Sequence, residues 1–121
     1  MPFRNIVTKE LSELFGVLSH PMRIRIVEEL QGGEKDVGTL VQVLNISQTG
    51  VSQHLSVLRG HRLLVERKEG RNVYYHLRNP ELAAWILGGL QFAGPYQSEP
   101  HEFESAVKKV RTIWRSKKSK D

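Results

Sequence analysis

Residues 46–58 read ISQTGVSQHLSVL, and two stripes of opposite chemistry run along them. Val51, Leu55 and Leu58 fall at i, i+4 and i+7, the spacing of a helix face turned to a core. Gln48, Thr49, Ser52, Gln53 and His54 occupy the other side, with no lysine or glutamate among them. These are compact hydrogen-bond donors and acceptors, whereas an ordinary solvated helix face carries charge. Such a row suits a partner whose own surface is a pattern of neutral donors and acceptors. It does not suit proton transfer or nucleophilic attack, because no nucleophile–base pair, phosphate-binding glycine loop or metal-ligand set accompanies it. Gly32-Gly33 and Gly88-Gly89 are too isolated to form such a loop. His54 has a second reading, as a buried hydrogen-bonding histidine.

The row needs elements to hold it. A first helix is expected from Thr8 as N-cap, with Leu11, Leu14, Phe15 and Leu18 as its apolar stripe. His20-Pro21 ends it and opens a second helix, since proline suits the first helical position. Met22, Ile26 and Leu30, flanked by Ile24 and Val27, make that helix broadly apolar and central, and Gln31-Gly32-Gly33 closes it. A short third helix carries Val37, Leu40, Val41 and Leu44. Asn45-Ile46 makes a tight turn, and Ser47 caps the fourth helix, which runs out near Arg59-Gly60.

The period then changes from 3.6 to 2. Leu63–Arg67, a polar turn at Lys68-Glu69-Gly70 and the alternating Val73, Tyr75 and Leu77 predict a β-hairpin with a basic loop. Asn79-Pro80-Glu81 opens a fifth helix with Leu82, Trp85, Ile86 and Leu90 as its stripe, and Ala93-Gly94-Pro95 breaks it. Pro100 begins a last helix with Phe103, Val107, Val110 and Trp114 on one side.

Composition narrows the partner. The chain has 121 residues, 39% of them hydrophobic and 26% charged, and a net charge of +5. That is the size of one domain with an ordinary core. Residues 59–71 hold five basic side chains against Glu66 and Glu69, for +3; residues 105–121 hold seven against Asp121, for +6. The remainder is then −4, so two basic zones sit on an acidic body, the distribution of a chain that meets a polyanion by particular faces. Cysteine is absent, which removes disulfides and thiolate ligands from this chain. No run of about 18 apolar residues offers a membrane span. The segment MPFRNIVTKEL lacks a signal-peptide layout, so a cytoplasmic location is expected.

A short helix, a three- or four-residue turn and a capped second helix form the helix-turn-helix arrangement. Its second helix enters the DNA major groove, where base edges are chargeless patterns of donors and acceptors. Charge belongs beside that helix, where the phosphates run, and the hairpin loop supplies it. SQTGVSQHLSVLRGHRLLVERKEGRNVYYHL resembles the recognition helix and wing of ArsR-type (ArsR/SmtB) winged helix-turn-helix repressors. LSHPMRIRIVEEL resembles the helix preceding that motif, and the likeness spans residues 8–92.

The resemblance implies a mainly α fold with a small β-hairpin, forming a homodimer through its N- and C-terminal helices. It further implies a cytoplasmic repressor on an inverted-repeat, double-stranded DNA operator. On that pattern Ser47 caps the reading helix and meets a phosphate, while Gln48, Thr49, Ser52, Gln53 and His54 face the groove. Arg67, Lys68 and Arg71 belong to the wing. Arg59 and Arg62 are read as further phosphate contacts, with an Arg62–Glu66 ion pair as the alternative. Leu11, Leu14, Phe15 and Leu18 with Phe103, Val107, Val110 and Trp114 are expected at the subunit seam. Residues 1–92 then form the DNA-binding domain, whose first helix also dimerises. Residues 93–121 form a connector, a dimerisation helix and a basic tail.

The chain also departs from the pattern. Where many relatives carry thiolates in the short third helix, EKDVGTLV places Asp36 and Gly38, and no soft-metal site is expected there. PELAAWILGGLQF lacks the histidine of the zinc site that other relatives hold between subunits. His101, Glu102 and Glu104 are the residual metal candidates, with acids complementing a helix dipole as the alternative. His20 and His61 read as a cap and a loop residue. No metal or cofactor is assigned, and the effector is not legible. Trp85, Phe92, Tyr96, Phe103 and Trp114 are read as dimer core or, alternatively, as a pocket lining. The competing function is a winged-helix module for protein–protein contact without operator binding.

Overall fold

The computed structural model describes residues 1–119, with side chains through Ile113. Trp114 and the lysine-rich stretch at 117–120 therefore lie outside the described residues as far as their side chains are concerned. Helix α1 spans Pro2–Leu18 and α2 spans Pro21–Leu30. Strand β1 is Lys35–Asp36, followed by α3 at Val37–Leu44 and α4 at Gln48–Gly60. Strands β2 (Leu64–Glu69) and β3 (Asn72–Leu77) form the hairpin, and α5 (Leu82–Gly88) leads into a 3₁₀ turn at Gly89–Gln91. Helix α6 runs over Pro100–Ser119. The described elements are mainly helical with one small antiparallel sheet, the winged-helix plan expected from the sequence.

Three of the helix starts are local events. The His20 side chain accepts the Met22 N–H at the head of α2, Asp36 accepts the Thr39 N–H at the head of α3, and Ser47 Oγ accepts the Gly50 N–H at the head of α4. Each satisfies one of the backbone donors that a helix start leaves unpaired. Asn45 closes α3 at φ 55°, the left-handed conformation that asparagine tolerates. Only Asn45–Ser47 then separate α3 from α4. A Cβ on Gly50 would stand 3.2 Å from Ser47 Oγ, so glycine lets the capping hydroxyl come in close.

Boundaries differ from expectation at both ends. Helix α1 begins at Pro2 rather than after Thr8. Proline there loses no helical hydrogen bond, and Phe3, Ile6 and Val7 carry the apolar side forward from Leu11. Helix α5 begins at Leu82, because Asn79 Oδ1 accepts the Glu81 N–H at 2.9 Å in a separate turn just ahead of it. Its α-helical part stops at Gly88, short of the expected break at Ala93-Gly94-Pro95. In the hairpin the strands continue through Glu69 and Asn72, which face one another. The turn is therefore Gly70-Arg71, with Gly70 at φ +61°, the first central position where a tight hairpin turn wants glycine.

Strand β1 was not anticipated. It pairs antiparallel with β3, Lys35 opposite Tyr75 and Asp36 opposite Tyr74, giving the order β1-β3-β2. Two residues are too few to show a period of their own.

The core gathers Ile26, Val27 and Leu30 of α2, Leu40 and Leu44 of α3, and Val51, Leu55 and Leu58 of α4. Leu64, Leu77, Ala83, Val17 and Leu18 close it from the sheet, α5 and the end of α1. Helix α2 is central, as its apolar breadth implied, although Ile24 remains exposed.

Candidate nucleic-acid interface

Helix α4 carries the site because its two faces are separated cleanly. Val51, Leu55 and Leu58 are essentially inaccessible, which seats the helix. Gln48, Thr49, Ser52, Gln53 and Ser56 are exposed, and with Val57 they line one shallow groove. Ser56 and Val57 were not singled out from the sequence. Their spacing of four from Ser52 and Gln53 was the available signal. Among the described residues, no hydrogen bond within the chain engages the side chains of Gln48, Thr49, Ser52 or Gln53. The row is ready for an outside partner.

His54 is placed differently from its neighbours, half-buried on the side of α4 that meets α2. Its Nδ1 accepts a hydrogen bond from Arg23 Nε at 3.3 Å, and its ring lies 4.4 Å from that of His20. Burial holds its pKa below the ordinary histidine value, and the adjoining His20 and Arg23 act in the same direction. Arg23, absent from the sequence-derived set, also donates from Nη1 to the Val17 carbonyl at 3.1 Å. It thereby ties the end of α1 and the head of α2 to the reading helix.

The basic side chains divide into those the fold engages and those it leaves outward. Arg59 Nη1 meets Glu66 Oε2 at 2.7 Å, and Tyr75 donates its hydroxyl to the same oxygen at 3.1 Å. Arg59 therefore takes the Glu66 partner that the sequence offered to Arg62. Arg62 sits at φ +61°, and its carbonyl accepts from Arg78 Nε at 2.8 Å. Its side chain borders a cleft with Leu14, Leu82 and Trp85 rather than the groove of α4. Arg67 pairs with Glu34 at 2.7 Å and Glu69 at 2.6 Å while lying over the Tyr74 ring. The hydrogen bond from Arg67 holds the Glu34 carboxyl below its ordinary pKa. Lys68 is exposed, 3.8 Å from Glu66, and Arg71 stands exposed at the hairpin turn. No carboxylate of the described residues lies within ion-pair distance of Arg71.

A second surface lies on α1. Phe3 is 62% exposed and Phe15 55%, with Ile6, Val7 and Leu11 similarly open. Leu14 is half-buried, but Leu18 is only 7% exposed and belongs to the chain's own core, so it has little left to offer a seam. Phe15 stacks on Trp85 at 5.8 Å. Phe103, Val107 and Val110 of α6 are half-buried, and Val110 packs against the core. Phe92 and Tyr96 are almost wholly exposed.

Asp36, ahead of α3, spends its carboxylate on the Thr39 N–H at 2.9 Å. That bond holds its pKa below the usual aspartate value. Among the described residues no three His, Cys, Asp or Glu side chains come together as a metal site. No described helix is long and apolar enough to cross a membrane.

Comparison with known proteins adds to this geometry. A family model described as bacterial regulatory protein, arsR family, matches residues 20–65, which reach from the cap of α2 into β2. The transcriptional repressor PagR of Bacillus anthracis is 38% identical over 76 residues, 62% of this chain and 76% of PagR. The HTH-type transcriptional repressor SmtB of Mycobacterium tuberculosis is 37% identical over 82 residues, 68% of this chain and 61% of SmtB. In the solved structure of reduced HlyU from Vibrio cholerae, the match has a TM-score of 0.66 at 28% identity. It covers 81% of this chain and all of that one.

Proposed function

This chain belongs to the arsR family of bacterial regulatory proteins, which are transcriptional regulators and not enzymes, and on that premise we propose a repressor that binds an inverted-repeat operator as a cytoplasmic homodimer. One observation carries the reading: the chargeless row Gln48, Thr49, Ser52 and Gln53 is exposed and unengaged on a helix seated by Val51, Leu55 and Leu58. Base edges in the major groove are the surface such a row complements. Ser47, at the positive end of α4, is the phosphate contact that fixes its register. Arg71 and Lys68 reach the adjoining backbone from the hairpin.

The apolar run Phe3, Ile6, Val7, Leu11 and Phe15 supports the dimer, because a monomer gains nothing by holding it in water. A two-fold pair reads two half-sites about a helical turn apart, which a single reading helix cannot do. Repression then follows from occupying a promoter.

The test is a titration of duplexes from the protein's own upstream region at several salt concentrations, with solution mass measured on the same samples. A dimer that neutralises roughly six to ten phosphates should show a log–log slope of about −5 to −9. A flat response, with the groove of α4 instead occupied by a protein, would select the protein-contact module.

A further inference from the structure

Three nitrogen-bearing side chains meet where α2 begins. His54 Nδ1 accepts from Arg23 Nε at 3.3 Å, and the His20 ring lies 4.4 Å from that of His54. His20 Nδ1 accepts in turn from the Met22 N–H at 3.2 Å. With both Nδ1 atoms acting as acceptors, each neutral ring carries its proton on Nε2. The groups left over in the cluster are therefore all donors: two imidazole N–H groups and the rest of the Arg23 fork.

Among the described residues nothing anionic offsets them. From α2, Arg23 and His20 face His54, while Glu28 and Glu29 are taken by Arg25 at 3.8 and 3.3 Å. Helix α3 has no charged side chain, and the Asp36 that caps it bonds Thr39. From β2, Glu66 is held by Arg59 at 2.7 Å. The end of α1 contributes the Val17 carbonyl, which Arg23 already occupies. Among the described residues no carboxylate lies within ion-pair distance of His20, Arg23 or His54.

Place matters as much as charge. At about 100° of rotation per residue, position 54 lies on the shoulder of α4 next to Gln53, between the core stripe and the reading row. Helix α2 packs on that shoulder. A duplex seated on the reading row runs one of its strands along each flank of the groove.

We infer that His20, Arg23 and His54 form an anion site for one phosphodiester of the strand bordering the groove that α4 occupies, and that filling it draws a proton onto the imidazole pair. The inference rests on the DNA-binding reading above. Without the phosphate, a charged imidazole beside Arg23 meets only repulsion. With it, the added charge is attracted and hydrogen-bonded, which favours the protonated ring. Protonation at His54 Nδ1 also releases Arg23 Nε, freeing the guanidinium fork for the same phosphate.

The sign follows from linkage. The bound state holds more protons than the free state, so affinity rises as pH falls through the interval between the free and the bound titration of the His54 imidazole. The limit is about tenfold per pH unit for each proton taken up.

The experiment measures affinity for a labelled duplex of unselected sequence between pH 8.5 and 5.5 at constant ionic strength. Wild type is compared with His54→Gln and with His20→Asn, which keeps a capping side chain; a thermal melt verifies that both fold. His61, His76 and His101 remain in every protein as a common background. We expect wild-type affinity to rise roughly three- to tenfold more on acidification than that of either variant, with the His54 titration moving upward when the duplex binds. Parallel pH profiles in all three proteins overturn the site while leaving duplex binding intact. A His54→Gln loss confined to operator over unselected sequence overturns it too, by returning His54 to base reading. Inorganic phosphate is the second arm. If it shifts the His54 titration while the variants bind duplex as wild type does, the site takes a free anion and the proposal fails. If wild type binds no duplex at any pH, the parent reading fails and takes this one with it.

Discussion

The reading helix and the wing are both polar, yet the fold treats their polar groups in opposite ways. On α4 the amides and hydroxyls of Gln48, Thr49, Ser52 and Gln53 are left unengaged. Around the hairpin, Arg59 at the end of α4 and Arg67, Glu66 and Glu69 of β2 pair with one another, with Glu34 and with Tyr75. Charged side chains opposite or diagonal to one another on a sheet attract and pair, whereas the neutral groups of the helical row have no charge to draw them together. A basic wing is thus a smaller reserve of free charge than its composition suggests. Arg67 braces the hairpin, and Arg71 at the turn, with the exposed Lys68, is left to meet a partner.

The largest expected effect breaks the seat that makes α4 a reading surface. Leu55→Ala removes a side chain that is only 1% exposed beneath the reading row. It should cost about 2–5 kcal/mol of folding stability, read by denaturant unfolding. A loss below about 1 kcal/mol would mean that α4 is not held as described.

Next in size is the division between reading and gripping. Gln48→Ala and Ser52→Ala should each lower the preference for operator over unselected duplex by about 1–3 kcal/mol. Equal losses on both duplexes would remove these residues from the readers.

The smallest effect sharpens the comparison within the wing itself. Arg71→Ala should weaken both duplexes alike and reduce the magnitude of the salt slope by about 1 for each phosphate left without its cation. Arg67→Ala should leave that slope unchanged, because its charge is already matched by Glu34 and Glu69. A slope reduced equally by both substitutions would show that the ion pairs of Arg67 open on binding.

Much of this was legible because it is local. Ser47 and His20 cap helices that begin one residue later, and a cap acts within three residues of itself. The stripe Val51, Leu55 and Leu58 is buried as its period required, and the chargeless row opposite it follows from the same periodicity. Other features needed the third dimension. Strand β1 exists only because Lys35 and Asp36 lie beside Tyr75 and Tyr74, far along the chain. Glu66 was the alternative partner of Arg62, but the path from α4 into β2 brings Arg59 to it instead. Leu18 fits the α1 stripe by spacing, yet the fold closes over it where α1 ends.

By itself the sequence determined the order of the helices and the hairpin, the caps at His20 and Ser47 and the two-sided character of α4, because each rests on contacts within a turn or on a repeat of side-chain type. The tertiary structure alone decided which charges remain available and which way His54 points. Both depend on what the packing of α2, β1 and the hairpin brings alongside, and no pattern along one element encodes the approach of another.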